Sequence, residues 1–140
     1  MFFRNQYMFM SNMSTSPMVV NSIKYCCLES AFQSFKTTNK TERIKFSKLD
    51  GYAARKLGRI VELRADWHQV RLPLMKLLVR LKFKQNPLLI QKLITVQGPI
   101  SEENTWNDTF WGISRGIGKN HLGIILENER NYYKENNPLK

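Results

Sequence analysis

Glu29, Gln33 and Lys36 stand at i, i+4 and i+7 within "CLESAFQSFK". On a helix these spacings place an acid, an amide and an amine on one face. A shared face lets such a set act together at one site. The bland alternative is an exposed Glu and Lys flanking core aromatics such as Phe32 and Phe35. Gln33 favours the chemical reading, because an amide among apolar neighbours needs bonding partners. A second constellation lies in "NDTFWGISRGIGKNHLG", residues 107 to 123, which holds four of the chain's seven glycines. Asp108, Phe110 and Trp111 precede Gly112, and Gly116, Gly118, Asn120 and Gly123 follow. Loop amides ahead of a helix form a cradle for phosphate, and a neighbouring Trp offers a face for a base. The alternative is a turn anchored by a core Trp.

Neither stretch is a dinucleotide fingerprint, which needs a preceding strand and a βαβ unit, nor a Walker loop, which ends in Gly-Lys-Ser/Thr. Cys26 and Cys27 are adjacent, a spacing that strains an ordinary disulfide, and the chain has only two histidines. Two buried structural thiols are expected, with no metal site and no cofactor.

The elements that must position these residues can be read from periodicity. "SPMVVNSIKY" has short β-prone runs around Asn21-Ser22, a hairpin with Asn at the turn. Leu28, Ala31, Phe32 and Phe35 mark a helix with one buried face, broken at Thr37 to Asn39. Short helices are expected over Thr41 to Phe46 and Asp50 to Leu57. The second is capped near Ser47 or Asp50 and stopped at Gly58 by a left-handed conformation. The longest helix covers "ADWHQVRLPLMKLLVRLKFKQN", with Trp67, Val70, Leu74, Leu77, Leu78 and Leu81 as its apolar stripe and Lys76, Arg80 and Lys84 as a basic one. Pro73 should kink it or mark a new start. Pro87 opens a further helix to about Thr95; residues 96 to 121 read as mostly loop. The last helix begins near Asn120, buries Leu122, Ile125, Leu126, Glu129 and Tyr133, and ends in the polar tail "KENNPLK". The expected architecture is mainly α with a small N-terminal β element, residues 1–140 forming a single domain with its core at about 10–130.

Bulk properties bound the function. The chain has 140 residues, 42% hydrophobic and 24% charged, an ordinary composition for a globular protein. Its longest apolar runs are too short to span a bilayer, and "MFFRNQYMFM" lacks the pattern of a signal peptide, so a cytoplasmic protein with no membrane partner is expected. Residues 36 to 84 hold 14 of the 22 basic residues and 4 of the 11 acids, which is +10 of a net +11. So one-sided a field attracts polyanions, unless it serves only solubility.

Read together, "MSNMSTSPMVVNSIKYCCLESAFQSFK", "KLGR", "LRADWHQVR", "LMKLLVRLKFKQNPLL" and "NDTFWG…GKNHLGIIL" resemble the YbiA-like, or NADAR, family from about Met10 to Arg130, in family order and spacing. The resemblance implies a compact, mostly helical fold and N-glycosidase chemistry, the cleavage of a bond between ribose and a base nitrogen. It places the family's recurring polar positions on Asn12, Glu29, Gln33, Lys36, Asp108, Trp111, Gly112, Asn120 and Gly123. Three positions depart: Ser30 stands where the family usually has His, Met13 where an aromatic often follows Ser-Asn, and Val96 where it has Gly.

The expected catalytic residues are therefore Glu29 at the sugar, Lys36 as proton donor or as amine nucleophile on ring-opened ribose, and Asp108 as second carboxylate. Asn12, Phe32, Gln33, Trp111, Gly112, Gly118, Asn120 and Gly123 are the expected substrate-binding residues. Lys76, Arg80 and Lys84 would meet a nucleic-acid backbone. The basic field favours removal of ADP-ribose from guanine in nucleic acid. The alternatives are a phosphorylated ribosyl-pyrimidine intermediate of riboflavin biosynthesis as substrate, a non-enzymatic nucleic-acid binder, or a decayed enzyme. The sequence identifies no protein partner.

Overall fold

The computed structural model describes residues 1–137, so the end of the polar tail lies outside the described residues. The chain is mainly helical with short strands, and it divides into two compact units. One is Asn12–Asn86; the other joins Met1–Ser11 to the segment beginning at Pro87.

The 12–86 unit opens with the hairpin. β1 (Met18–Val20) pairs antiparallel with β2 (Ile23–Tyr25), Val20 opposite Ile23. Asn21 and Ser22 both take positive φ, 50° and 67°, as a two-residue turn of the primed type requires. α1 (Leu28–Ser34) follows, and all seven of its residues are buried rather than one face. It is enclosed by β2, by α3 (Gly51–Gly58), by α4 (Trp67–Gln85) and by the 3₁₀ turn Phe46–Lys48. α2 (Lys40–Lys45) lies between, capped by the Asn39 side chain, which accepts from the Glu42 amide. Asp50, not Ser47, caps α3, accepting from the Ala53 amide at 2.8 Å. Gly58 does not stop α3 by turning left-handed, as expected; it keeps helical geometry and the cap follows at Arg59.

α4 is continuous through Pro73, which neither starts nor ends it. Its buried face is Trp67, Met75, Leu78, Val79, Lys82 and Phe83, whereas Leu77 of the expected stripe is 50% exposed. The phase follows the 75/78/79/82/83 row, so the lysine in that row goes inside. Lys76, Arg80 and Lys84 stay exposed on the opposite side, with no acid anywhere on the helix.

Lys82 donates to Ser14 Oγ at 3.5 Å, and burial pushes its pKa down to about 7, with the Cys27 charge opposing. Between about 7 and the usual 10.5 the unfolded chain holds a proton that the folded chain has released. Stability therefore rises with pH through that window and is lowest below it. Lys82→Met, of similar volume, should raise the unfolding temperature more at pH 6 than at pH 9. Equal shifts at both pH values would contradict a proton-linked cost at this residue.

The second unit begins with a 3₁₀ turn at Asn5–Met10 and continues with α5 (Pro87–Leu93), β3 (Glu103–Asn104), β4 (Ile113–Ser114) and α6 (His121–Glu135). Residues 96–121 are mostly loop, as expected, and within them β3 and β4 pair in parallel, Glu103 opposite Ile113. α6 buries Leu122, Ile125, Leu126, Glu129 and Tyr133 as its periodicity predicts, and buries Arg130 as well. Arg130 donates to the carbonyls of Val96 and Gly98, which ties the turn after α5 to α6. Among the described residues no helix is long and apolar enough to cross a membrane.

Candidate active site

α1 holds the first cluster. Glu29 and Gln33 lie one helical turn apart, and Gln33 Nε2 donates to Glu29 Oε1 at 2.9 Å. Arg55, reaching from α3, donates through Nε to the same oxygen at 3.2 Å. Glu29 is 5% exposed. A carboxylate this buried persists as an anion only with charge-assisted donors of this kind. Oε1 is fixed by two donors, while Oε2 has no hydrogen-bond partner among the described residues. The plain alternative of a solvated Glu is excluded.

The glycine in "KLGR" has its explanation here. A Cβ on Gly58 would fall 2.1 Å from Gln33 Oε1, so the absent side chain admits the Gln33 amide. That oxygen is buried and makes no hydrogen bond. The amide is thereby oriented with its NH₂ toward Glu29. Asn12 supports the same group from the helix start, its carbonyl accepting the Glu29 backbone amide at 3.0 Å. Met13 packs on Gly51, where an added Cβ would lie 2.6 Å from the Met13 sulfur.

Lys36 is half-buried just beyond α1, with Nζ 5.8 Å from the centre of the Trp67 ring. Trp67 in turn packs on Phe32 at 5.1 Å between centroids, tilted by 56°. Burial lowers the Lys36 pKa; the Glu29 charge opposes this, and Arg59 and Arg55 add to it. The structure thus unites Glu29, Phe32, Gln33 and Lys36 around an ordered carboxylate and an amine that releases its proton more readily than usual. Arg55, Trp67 and Gly58 escaped the sequence reading as site residues. The available signal was electrostatic: a buried Glu in α1 demands a cation, and "ARKLGR" is rich in them. Ser30 points elsewhere, its hydroxyl donating to the Leu49 carbonyl at 2.6 Å beside the two thiols. Cys27 is buried and Cys26 partly exposed, both unpaired as disulfides.

The glycine loop of the other unit is knit to its own chain. Several of its amides bond within the loop or to the residue before β3. Ile113 N donates to Glu102 O, Lys119 N to Thr109 O, Asn120 N to Gly112 O, His121 N to Phe110 O and Leu122 N to Trp111 O. The glycines are needed for close packing of the chain on itself. A Cβ at Gly112 would meet the Glu102 carbonyl at 2.1 Å, and one at Gly123 the Ile100 carbonyl at 2.4 Å. Gly118, at φ 156°, would meet the Gly112 carbonyl at 2.1 Å. Asn120, left-handed at φ 55°, spends both side-chain atoms as a bracket: Oδ1 accepts from Glu102 N and Nδ2 donates to Ile100 O, each at 2.9 Å. Gly112, Gly118, Asn120 and Gly123 are therefore loop-building residues in this structure, and their close contacts are with the protein itself.

Asp108 likewise shapes the loop. Its Oδ1 accepts from the amides of Phe110 at 3.2 Å and Trp111 at 2.9 Å, and Asn104 Nδ2 holds its carbonyl. This orients Trp111, which is partly exposed and meets Phe110 edge-on at 4.7 Å. Asn keeps the Oδ1 acceptor and loses only the charge. Asp108→Asn should accordingly retain activity within about threefold and stability within about 1 kcal/mol. A loss of a hundredfold or more with an unchanged fold would restore Asp108 as a second carboxylate of the reaction.

Comparison with known proteins agrees with this arrangement of elements. The NADAR domain model matches residues 1–133. The N-glycosidase YbiA of Escherichia coli (strain K12) is 30% identical over 120 residues, 83% of this chain and 75% of that protein. A riboflavin biosynthesis protein of Vibrio vulnificus is 37% identical over 76 residues, 54% of this chain but only 21% of its own length. The chloroplastic riboflavin biosynthesis protein PYRR of Zea mays is 33% identical over 92 residues, and the chain spans 15% of it. In structure, E. coli YbiA solved by NMR superposes with a TM-score of 0.83 at 27% identity, covering 97% of this chain and 85% of that one. With its helical order, its α1 acid–amide–amine face and its match across nearly the whole length, this chain belongs to the NADAR domain family.

Proposed function

We propose that the protein is an N-glycosidase that hydrolyses a ribose–base bond, and that its substrate is ADP-ribose attached to guanine in nucleic acid. The observation that carries the chemistry is Glu29, a buried carboxylate with one oxygen pinned by Gln33 and Arg55 and the other without a hydrogen-bond partner among the described residues. As the ribose–nitrogen bond lengthens, its electron pair moves to the base and positive charge grows on the anomeric carbon. Glu29 stabilises that charge and takes the proton of the attacking water. Lys36, its proton loosened by burial, protonates the leaving nitrogen; the unprotonated amine is the nucleophile of the alternative route through ring-opened ribose. A single domain over residues 1–140 is part of the proposal, and the family match over residues 1–133 supports it. Action in the cytoplasm is part of the same proposal.

The nucleic-acid substrate rests on charge. Lys76, Arg80 and Lys84 lie at successive fourth positions on the exposed side of α4. They are proposed as backbone contacts, each releasing a counterion from the strand. Binding should weaken steeply with salt, and replacing all three by Ala should reduce the log–log salt slope by about 2 to 3. A slope unaffected by the triple change would remove α4 from the interface. The second reading, a phosphorylated ribosyl-pyrimidine of riboflavin biosynthesis, is favoured by the names of the Vibrio and maize relatives. It predicts turnover of the free nucleotide that is nearly insensitive to salt.

A further inference from the structure

The loop that carries Trp111 also displays a second tryptophan, and the catalytic proposal has no use for it. Trp106 is 61% exposed, immediately after β3, with its amide held by Asn104 Oδ1 at 3.2 Å. Next to it, Asn107 is fixed by two contacts: its amide donates to Ser114 Oγ at 3.2 Å, and its Oδ1 accepts from Arg115 Nη1 at 3.0 Å. Arg115 and Gly116 form the two-residue tip after β4, both with positive φ, 52° and 80°, closed by Ser114 N to Ile117 O at 2.8 Å and Ile117 N to Ser114 O at 3.1 Å. A left-handed arginine is uncommon, and here mutual backbone bonds hold it. The result is a knob in which the Arg115 guanidinium is held on Asn107, the residue next to the exposed Trp106, with Ile117 70% exposed beyond them. Lys119 is exposed on the same segment. The acids nearby have other partners: Glu103 pairs with the Met1 amino group, and Asp108 Oδ1 is bound to the Phe110 and Trp111 amides.

A large ring left in water, with an anchored arginine and an exposed lysine on the same loop, matches one ligand chemistry closely, an unpaired nucleobase flanked by phosphates. Bases stack on exposed aromatics with little regard to sequence, and adjacent cations meet the backbone. We propose that the Trp106–Arg115 knob is a docking element for a single-stranded stretch of the nucleic-acid substrate, Trp106 stacking on a base and Arg115 and Lys119 contacting its phosphates. This deepens the nucleic-acid reading above and rests on it.

The test measures binding of a fluorescently labelled, unmodified single-stranded DNA oligonucleotide, and of its duplex, by anisotropy at fixed salt. The wild-type protein should prefer the single strand. Trp106→Ala should weaken that binding roughly tenfold, as loss of one stacked base does, while Trp106→Phe holds within about threefold. Arg115→Ala should lower the salt slope by about 1. Far-UV circular dichroism should be unchanged in all three, since Trp106 and Arg115 are exposed. If the wild type binds the strand and Trp106→Ala binds equally well, the knob is not a nucleic-acid element and only this inference falls. If the wild type binds neither oligonucleotide, the nucleic-acid substrate falls and the knob proposal with it.

Discussion

Glu29→Gln should lower turnover roughly 10²–10⁴-fold, the range in which a positioned acid or base acts. The change keeps shape and the acceptor for Gln33 Nε2, so the α1 packing survives. What is lost is the negative charge that faces the growing positive charge on ribose. The stability effect should be small. Arg55 loses its ion-pair partner, but its side chain is 40% exposed and water replaces much of the interaction, leaving a cost of about 1 kcal/mol or less. The informative measurement is thus a pair: turnover under saturating substrate, and thermal unfolding on the same preparation. A folded Glu29→Gln protein with turnover within a few-fold of the wild type would remove Glu29 from the chemistry.

The largest expected stability effect lies in the glycine loop. Ala at position 118 would have to adopt φ 156°, a conformation nearly closed to residues with a side chain. Its Cβ would fall 2.1 Å from the Gly112 carbonyl and 2.9 Å from Ile113 Cα. Both are backbone atoms, so no rotamer change relieves them. Backbone strain of about 1–3 kcal/mol joins an overpacking cost of similar size, and Gly118→Ala should destabilise by about 3–5 kcal/mol. Gly116→Ala supplies the comparison within the same loop. At φ 80° it carries the left-handed cost, yet a Cβ there meets nothing within 4 Å, and about 1 kcal/mol is expected. Thermal unfolding of the two variants should separate clearly. Equal shifts would mean that backbone conformation alone, and not close approach, explains these glycines.

Much of the fold was legible because local signals and tertiary packing agree. Asn21-Ser22 between β-prone runs became the hairpin turn, Asp50 capped α3, Pro87 opened α5, and the 122/125/126/129/133 row of α6 went inside. Misreadings arose where burial is decided by partners distant in sequence. Lys82 belongs to neither stripe read from the sequence, and its helical phase sets it in the buried row with Met75, Leu78 and Val79. Gly58 does end α3, but in helical rather than left-handed geometry, and the space it leaves takes the Gln33 amide one helix away. Gly112, Gly118 and Gly123 announce a close approach without naming what approaches. Here it is the carbonyls of Gly112, Glu102 and Ile100. The spacing of Glu29, Gln33 and Lys36 was readable in the sequence; Arg55, which reaches Glu29, needed the packing of α3 on α1.

One product assay bears on the central claim more directly than any variant. The purified protein is incubated with DNA carrying ADP-ribose on guanine, and separately with a phosphorylated ribosyl-pyrimidine, and the released base and sugar are identified by mass spectrometry. The account predicts free ADP-ribose and restored guanine from the DNA, lost in Glu29→Gln and falling as salt rises. An intact ribose–base bond in both substrates, with the protein folded and in excess, would contradict a glycosidase at the Glu29 cluster.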